Sequence, residues 1–547
     1  MTGNFVQPTP SAYVYSLLIK HLLAPGIAYA PEREIVYRDL KRLTYRTLGR
    51  RVGQLASALV RLKIEPGDVV AVMDWDSHRY LESFFAIPMM GAVLLTVNVR
   101  LSPEQIAYTL NHARAKIVLV NGEFLPCLDA IKDKLETVRS YVLISDTGAP
   151  AESPVAFAAE YEEMLESGSA EYAFPDFDEN TRATTFYTTG TTGLPKGVCF
   201  SHRQLVLHTF GLLTVFGLQP KQGRFDRDDV YMPITPMFHV HGWGFPFAAT
   251  MAGAKQVYPG RYAPEVLLAL KAKEGVTFSH CVPTILQMLL GCPAGKDADL
   301  SGWKVVIGGA ALPTSLARAA LARGIDIFGG YGMSETCPLL TVAHLKSHMT
   351  VEDEALLRAK SGRAVPFVDL RIVDEAMHDV AHDDQATGEV VARAPWLTQA
   401  YLQNPEASEQ LWAGGYLHTG DIGKMDSEGY LQITDRIKDV IKSGGEWISS
   451  VALEDLILQH PCVAEAAVIG RPDVKWGERP MALVVLKPEF AGKAGADDIH
   501  AHVAACAEQG KISKLAVPEH ILLVRALEKT SVGKLDKKAM RAKYCPA

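Results

Sequence analysis

Tyr187-Thr-Thr-Gly-Thr-Thr-Gly-Leu-Pro-Lys-Gly197 continues directly from Thr181-Arg-Ala-Thr-Thr-Phe-Tyr187, a run that reads as a buried strand. The chain therefore leaves a sheet straight into a turn of glycine, threonine and lysine. Glycines let successive backbone N–H groups face one anion, and threonine hydroxyls with Lys196 add further donors, which is what a polyphosphate requires. The lysine is followed by Gly197 instead of Ser or Thr and the glycines are spaced differently, so this is not a Walker A loop. For the segment by itself, a bland Gly/Thr turn is the alternative.

Working outward, the same strand-then-turn texture recurs. Residues 91–98, 116–121, 141–145, 255–259, 276–283 and 304–312 are short β-branched runs, separated by helical stretches such as 43–62, 102–113 and 264–275. Strands alternating with helices predict an α/β chain with largely parallel sheets covered on both faces. The apolar run Phe84 to Val97 contains Pro88 and Gly91 and is shorter than the roughly 18–20 residues a membrane helix needs; it is expected as a buried helix and strand. After about residue 365 shorter elements with frequent Gly, Asp and Pro predict antiparallel strands joined by turns. From about 439 onward a helix (451–461), strands (465–470, 481–488, 520–527) and a basic terminal helix are expected to form a small α+β domain.

The 547 residues exceed the size of a single core, so at least two domains are expected. Hydrophobic residues at 48% and charged residues at 21% leave no room for extensive disorder. With 55 basic and 62 acidic residues the net charge is −7, which gives no general attraction to nucleic acid or an anionic membrane. The eight cysteines show no C-x-x-C spacing and read as reduced thiols, and the first residues lack a basic then apolar leader pattern. Both point to a cytoplasmic protein.

Two further clusters carry chemistry. Phe328-Gly-Gly-Tyr-Gly-Met-Ser-Glu-Thr336 offers an aromatic face for a purine at Tyr331 and hard oxygen for Mg²⁺ at Glu335. Tyr416-Leu-His-Thr-Gly-Asp421 places an acid after a tight turn, where it can accept hydrogen bonds from ribose hydroxyls. Taken alone, the bland reading is favoured for each: a solvated turn for the first and a turn-capping aspartate for the second.

Taken in order, with Pro236-Met-Phe-His-Val-His-Gly-Trp243, Gly308-Gly-Ala-Ala-Leu-Pro313, Asp435 to Trp447 and Lys529-Thr-Ser-Val-Gly-Lys534, these segments resemble the adenylate-forming (ANL) superfamily. Within it they are most similar to fatty-acyl-CoA and related acyl-CoA synthetases, above all medium-chain fatty-acyl-CoA ligases. The resemblance spans nearly the whole chain. It implies a large N-terminal domain (1–434) of layered, largely parallel sheets with a small β-barrel-like subdomain, a hinge (435–438), and a small mobile C-terminal lid (439–547). By motif, Lys534, Glu335 and Lys196 would be catalytic, and Thr188 and Glu335 would hold Mg²⁺. Thr188, Thr189, Gly190, Thr191, Thr192, Gly193, Lys196 and Thr336 would handle phosphate; Gly309, Ala310, Ala311, Gly330, Tyr331 and Gly332 would frame adenine. Asp421 and Arg436 would take the ribose, with Lys438 at the hinge and Lys442 contacting the adenylate. His239, Val240 and Trp243, with Gly309 and Gly330, would border the acyl pocket, Trp243 standing where some fatty-acyl synthetases have a gating tryptophan. Ser443, Gly444, Gly445, Glu446 and Trp447 would line the coenzyme A tunnel. Thr185, Glu528 and Ala452 depart from the family's usual residues without removing a reacting group.

The resemblance thus implies an AMP-forming acid–thiol ligase that uses ATP, Mg²⁺ and coenzyme A on a medium-chain fatty acid, with a homodimer as its assembly. Aryl, branched or thioether (methylthiopropanoate-type) acids, a carrier protein as thiol, a luciferase-like oxygenase and a non-catalytic nucleotide-binding scaffold are the alternatives. His239 and His241 lack the three or four ligands a transition metal needs, so packing and pocket roles are expected for them.

Overall fold

The computed structural model describes the chain except residues 1–3, 5, 148–152, 154, 189–193, 221, 347–353, 444–445, 531–532 and 546–547, and the side chain of Trp447. The helix Tyr45–Arg61 shows why the sequence folds as it does. Thr44 caps it by accepting from the Thr47 N–H, and Leu48, Val52, Leu55 and Leu59 recur at helical spacing along Tyr45–Arg61, all buried.

Among the described residues, one sheet has seven strands in the order 157–160, 140–144, 115–121, 69–73, 93–96, 182–188, 196–201. Its neighbours run parallel except for the last pair, an antiparallel hairpin. Val69–Met73 is buried at every position, as a strand covered on both faces must be. A second sheet, with nine described strands, has a parallel centre formed by Asp326–Gly332, Lys304–Ile307, Phe278–Cys281, Val230–Pro233, Lys255–Tyr258 and Glu34–Tyr37, and antiparallel strands at its edges. Between the two sheets, Phe84 stacks on Phe247 with ring centroids 5.3 Å apart. The run Phe84 to Val97 resolves into the end of helix His78–Met89 and the strand Val93–Thr96, as expected.

Strands Asp369–Val373, Gly388–Arg393, Leu417–Met425 and Leu431–Arg436 make an antiparallel sheet. The expected barrel-like subdomain is here an open sheet. The outer edge of Leu431–Arg436 is occupied by a bridge between Leu431 and Gly362, which joins it to the segment beside the nine-stranded sheet instead of closing it on itself. Beyond it, strands between Ile441 and Leu523 and helices Ser450–Leu458, Ala496–Glu508 and Lys537–Tyr544 complete a C-terminal α+β unit. That unit packs its own apolar clusters, centred on Leu453, Ile457, Val468 and Val484 and on Ile469, Leu483 and Met540. No described helix is long and apolar enough to cross a membrane.

Candidate active site

The chemistry-bearing segments converge at the carboxyl ends of strands from both large sheets, where α/β proteins place their ligands. Thr188 ends its strand directly opposite Lys196 in the antiparallel hairpin, so the two stand at the base of the phosphate-type turn. Thr189, Gly190, Thr191, Thr192 and Gly193 lie outside the described residues. The Lys196 ammonium sits 4.7 Å from the centre of the Tyr401 ring, a cation–π contact. The Tyr401 hydroxyl in turn donates to Glu335 Oε1 at 2.7 Å. Glu335 is buried, and burial raises its carboxyl above the usual range while Tyr401, Lys196 and Arg436 oppose that. The buried Glu335 carboxylate and the half-buried Thr188 hydroxyl supply hard oxygens of the kind Mg²⁺ accepts, and a divalent cation would offset the burial that now disfavours the carboxylate charge. Thr188 and Glu335 thus fit the group the resemblance implies. Thr336 is placed differently from a free phosphate donor: its buried hydroxyl accepts from Met333 N–H at 2.9 Å and closes its own turn against the Pro338 carbonyl.

Gly309 has a left-handed φ of 77°, and a Cβ there would lie 3.0 Å from Lys534 Cε and 3.5 Å from Nζ. Lys534, from the C-terminal unit, therefore reaches across into the cleft. Its hairpin is held by the Thr530 N–H donating to the Lys534 carbonyl at 2.7 Å, and Thr284 Oγ1 donates to the Gly533 carbonyl at 3.2 Å across the lobe boundary. Burial first, and then Arg436, push the Lys534 ammonium down to about 8, with Asp421 and Glu335 pulling the other way. Ala310 and Ala311 follow Gly309 and are exposed; Gly330, Tyr331 and Gly332 close strand Asp326–Gly332 beside them. The Tyr331 hydroxyl donates to Asp421 Oδ2 at 2.8 Å, and Arg436 Nε lies 3.2 Å from Asp421 Oδ1. Burial raises the Asp421 carboxyl, and Arg436 counters it.

Residues Val240 to Gly244 form one left-handed turn, with φ of 48°, 56°, 57°, 58° and 76°. For Val240, His241 and Trp243 that conformation costs about 1–2 kcal/mol each, so surrounding contacts must hold it. They do. Asp76 Oδ1 accepts from Met237 N–H at 2.8 Å, Thr96 Oγ1 donates to the Phe238 carbonyl at 2.9 Å, and His241 Nε2 shares a hydrogen bond with Thr184 Oγ1 at 2.8 Å. The turn presents Trp243 against His280, ring centroids 5.0 Å apart, and against Gly308, whose Cβ would meet the indole at 3.0 Å. Trp243 is 8% exposed. His239 is pushed down to about 3 by burial and then by Lys534, so it stands neutral beside the cleft.

Of the residues expected to line a coenzyme A tunnel, Ser443 and Glu446 lie on strands Ile441–Ser443 and Glu446–Ile448 of the C-terminal sheet. Ser443 is buried and pairs with Gly477, Glu446 is exposed, and the Lys442 N–H donates to Glu478 Oε2 at 2.9 Å. Gly444, Gly445 and the Trp447 side chain fall outside the described residues. Lys438 is held below its ordinary value chiefly by burial, and its carbonyl accepts from Arg541. Asp76, Thr96, Thr184, His280 and Tyr401 escaped the sequence reading; each is a single side chain delivered by packing, with no local pattern to mark it.

Residues 26–402 match the family model described as AMP-binding enzyme, and residues 452–534 match the AMP-binding enzyme C-terminal domain. The chain is 40% identical to a long-chain-fatty-acid–CoA ligase of Thermus thermophilus, covering 100% of this chain and 99% of that one. It is 38% identical to a 3-methylmercaptopropionyl-CoA ligase of Ruegeria lacuscaerulensis, over 96% and 97%. The crystal structure of the anthranilate CoA ligase AuaEII with anthranoyl-AMP superposes with a TM-score of 0.85 at 25% identity, covering 97% of both chains.

Proposed function

Because the chain belongs to the AMP-binding enzyme family and is an AMP-forming acid–CoA ligase using ATP and coenzyme A, we propose that its acid is a medium-chain fatty acid. The observation that carries this is the indole of Trp243, buried against His280 and Gly308 beside Val240. The indole offers an apolar face, as a hydrocarbon tail requires. The thioether acid named for the Ruegeria relative is the second reading, favoured by the 38% identity. Pyrophosphate release measured across straight-chain C4 to C12, aryl and sulfur-containing acids separates them; a maximum on the thioether or aryl acids overturns the medium-chain reading.

In the proposed site, Lys196 and Thr188 border the ATP phosphates, Asp421 and Arg436 take the ribose, and Tyr331 with Gly309 and Gly330 frames the adenine. Lys534 meets the reacting carboxylate and α-phosphate, where a preorganised cation stabilises developing charge. Thr188 and Glu335 would hold Mg²⁺, which when bound neutralises charge on the phosphate oxygens. The second half-reaction, thiol attack on the acyl-AMP, falls to the segment Ser443 to Trp447, with Lys442 contacting the adenylate. The proposed division is 1–434, hinge 435–438 and lid 439–547. It is supported by the separate apolar cores and by the two family matches, which end at 402 and resume at 452.

Trp243→Ala should shift the preferred acid toward longer or bulkier chains while leaving the ATP KM nearly unchanged. A residue that serves only the core would instead lose about 3–5 kcal/mol of stability with its specificity intact. Melting temperature together with kcat/KM for the C4 to C12 series decides between these.

Lys534 also predicts a pH limb. It must be protonated to meet phosphate, and its ammonium is pushed down to about 8 in the free enzyme. The kcat/KM for acid-dependent pyrophosphate release should therefore fall as pH rises through about 8, since that parameter reports the free enzyme's groups. Lys534→Arg, with a side chain that stays charged, should remove this limb; a limb that persists there belongs to another group.

A further inference from the structure

Four groups outside the site just described, all more than nine-tenths buried, form a continuous chain across the lobe boundary. Asp435 is 3% exposed, Ser450 0%, Glu454 8% and Lys537 9%. Asp435 Oδ2 accepts from the Ser450 N–H at 2.6 Å and from Ser450 Oγ at 2.5 Å. Lys537 Nζ donates to Ser450 Oγ at 2.6 Å and pairs with Glu454 Oε1 at 2.7 Å. Ser449 Oγ adds a bond to the Thr434 carbonyl. Asp435 lies on strand Leu431–Arg436, before the proposed hinge residue Lys438; Ser450 opens the first helix after it; Lys537 opens the helix that follows the Lys534 hairpin.

We infer that the Asp435–Ser450–Lys537 chain is a latch that positions Lys534 for acyl-AMP formation and must part before the thiol step. The physics is local. One end is anchored in the strand that carries Arg436, and Arg436 pairs with Asp421 in the cleft. The other end fixes a side chain three residues beyond Lys534, whose hairpin is closed by Thr530. Buried charged groups hydrogen-bonded in series hold one geometry stiffly. If the lid turns at Lys438, the end of the 435–438 segment, Asp435 stays with its strand, paired with Ile422, while Ser450 and Lys537 travel with the lid, so the Asp435–Ser450 bonds break together. Glu454 moves with Lys537 and keeps its charge paired, which limits the cost of parting. These residues act through Lys534 and touch no substrate.

The inference rests on the proposed hinge, and its test separates the two. Ser450→Ala, Asp435→Asn, Ser450→Thr and Lys438→Pro are compared for melting temperature, acid-dependent pyrophosphate release without coenzyme A, and thioester formation from supplied acyl-AMP. Ser450→Ala and Asp435→Asn should lower the first activity about tenfold, the worth of one hydrogen bond to a charged group. The second activity should be kept or raised, and Ser450→Thr, which keeps the hydroxyl, should recover the first. A purely structural role would lower both activities together and depress melting; that outcome, or an unchanged first half-reaction, overturns the latch. If Lys438→Pro separates the half-reactions while Ser450→Ala does not, the latch alone fails; if Lys438→Pro leaves both intact, the hinge fails and the latch with it.

Discussion

Lys534→Ala is expected to lower acid-dependent pyrophosphate release by on the order of a hundredfold or more, the scale of removing one preorganised donor from developing charge. Three observations set that size. The side chain enters the cleft against Gly309, where a Cβ would meet its Cε at 3.0 Å. Asp421 and Glu335 favour its charge there, while burial and Arg436 oppose it. It is also delivered from the C-terminal unit, where Thr284 Oγ1 ties the neighbouring Gly533 carbonyl across the boundary at 3.2 Å. Thioester formation from supplied acyl-AMP should survive much better, because the phosphorus chemistry is then already complete. Equal loss of both activities in a variant with unchanged melting temperature would remove Lys534 from the role assigned to it.

Lys438→Pro is expected to leave one half-reaction and collapse the other. Proline holds φ near −65°, whereas swinging a lobe about a short segment requires a large dihedral change at a few residues. The arrangement seen here has Lys534 in the cleft, so acyl-AMP formation is the half-reaction expected to persist. The backbone carbonyl at 438, which proline keeps, accepts from Arg541 Nη2 at 3.4 Å. Separate assays of pyrophosphate release and of thioester formation read the result, and two unaffected activities would place the boundary elsewhere.

The alternation of strands and helices was legible because strands buried on both faces appear as unbroken β-branched runs, as in Val69–Met73 and Lys116–Asn121. The motif segments were legible because glycine, threonine, lysine and acid at fixed offsets are a local pattern. The left-handed turn at Val240 to Gly244 was not, since valine and tryptophan disfavour positive φ and only the distant partners Asp76, Thr96 and Thr184 make it stable. Tyr401 likewise has no signature; it matters only because folding sets its ring beneath Lys196 and its hydroxyl on Glu335.

By itself, then, the amino-acid order determined the layered sheets, which follow from short-range patterns of burial, and the kind of reaction, which follows from its resemblance to a family along nearly the whole chain. The tertiary structure alone placed Lys534 inside the cleft, against Gly309. It also decided that the four-stranded sheet stays open and that Asp435, Ser450 and Lys537 form one buried chain. Those outcomes depend on side chains roughly 15 to 250 positions apart meeting at hydrogen-bond distance. Such meetings are set by how whole elements pack, and a one-dimensional pattern carries no record of them.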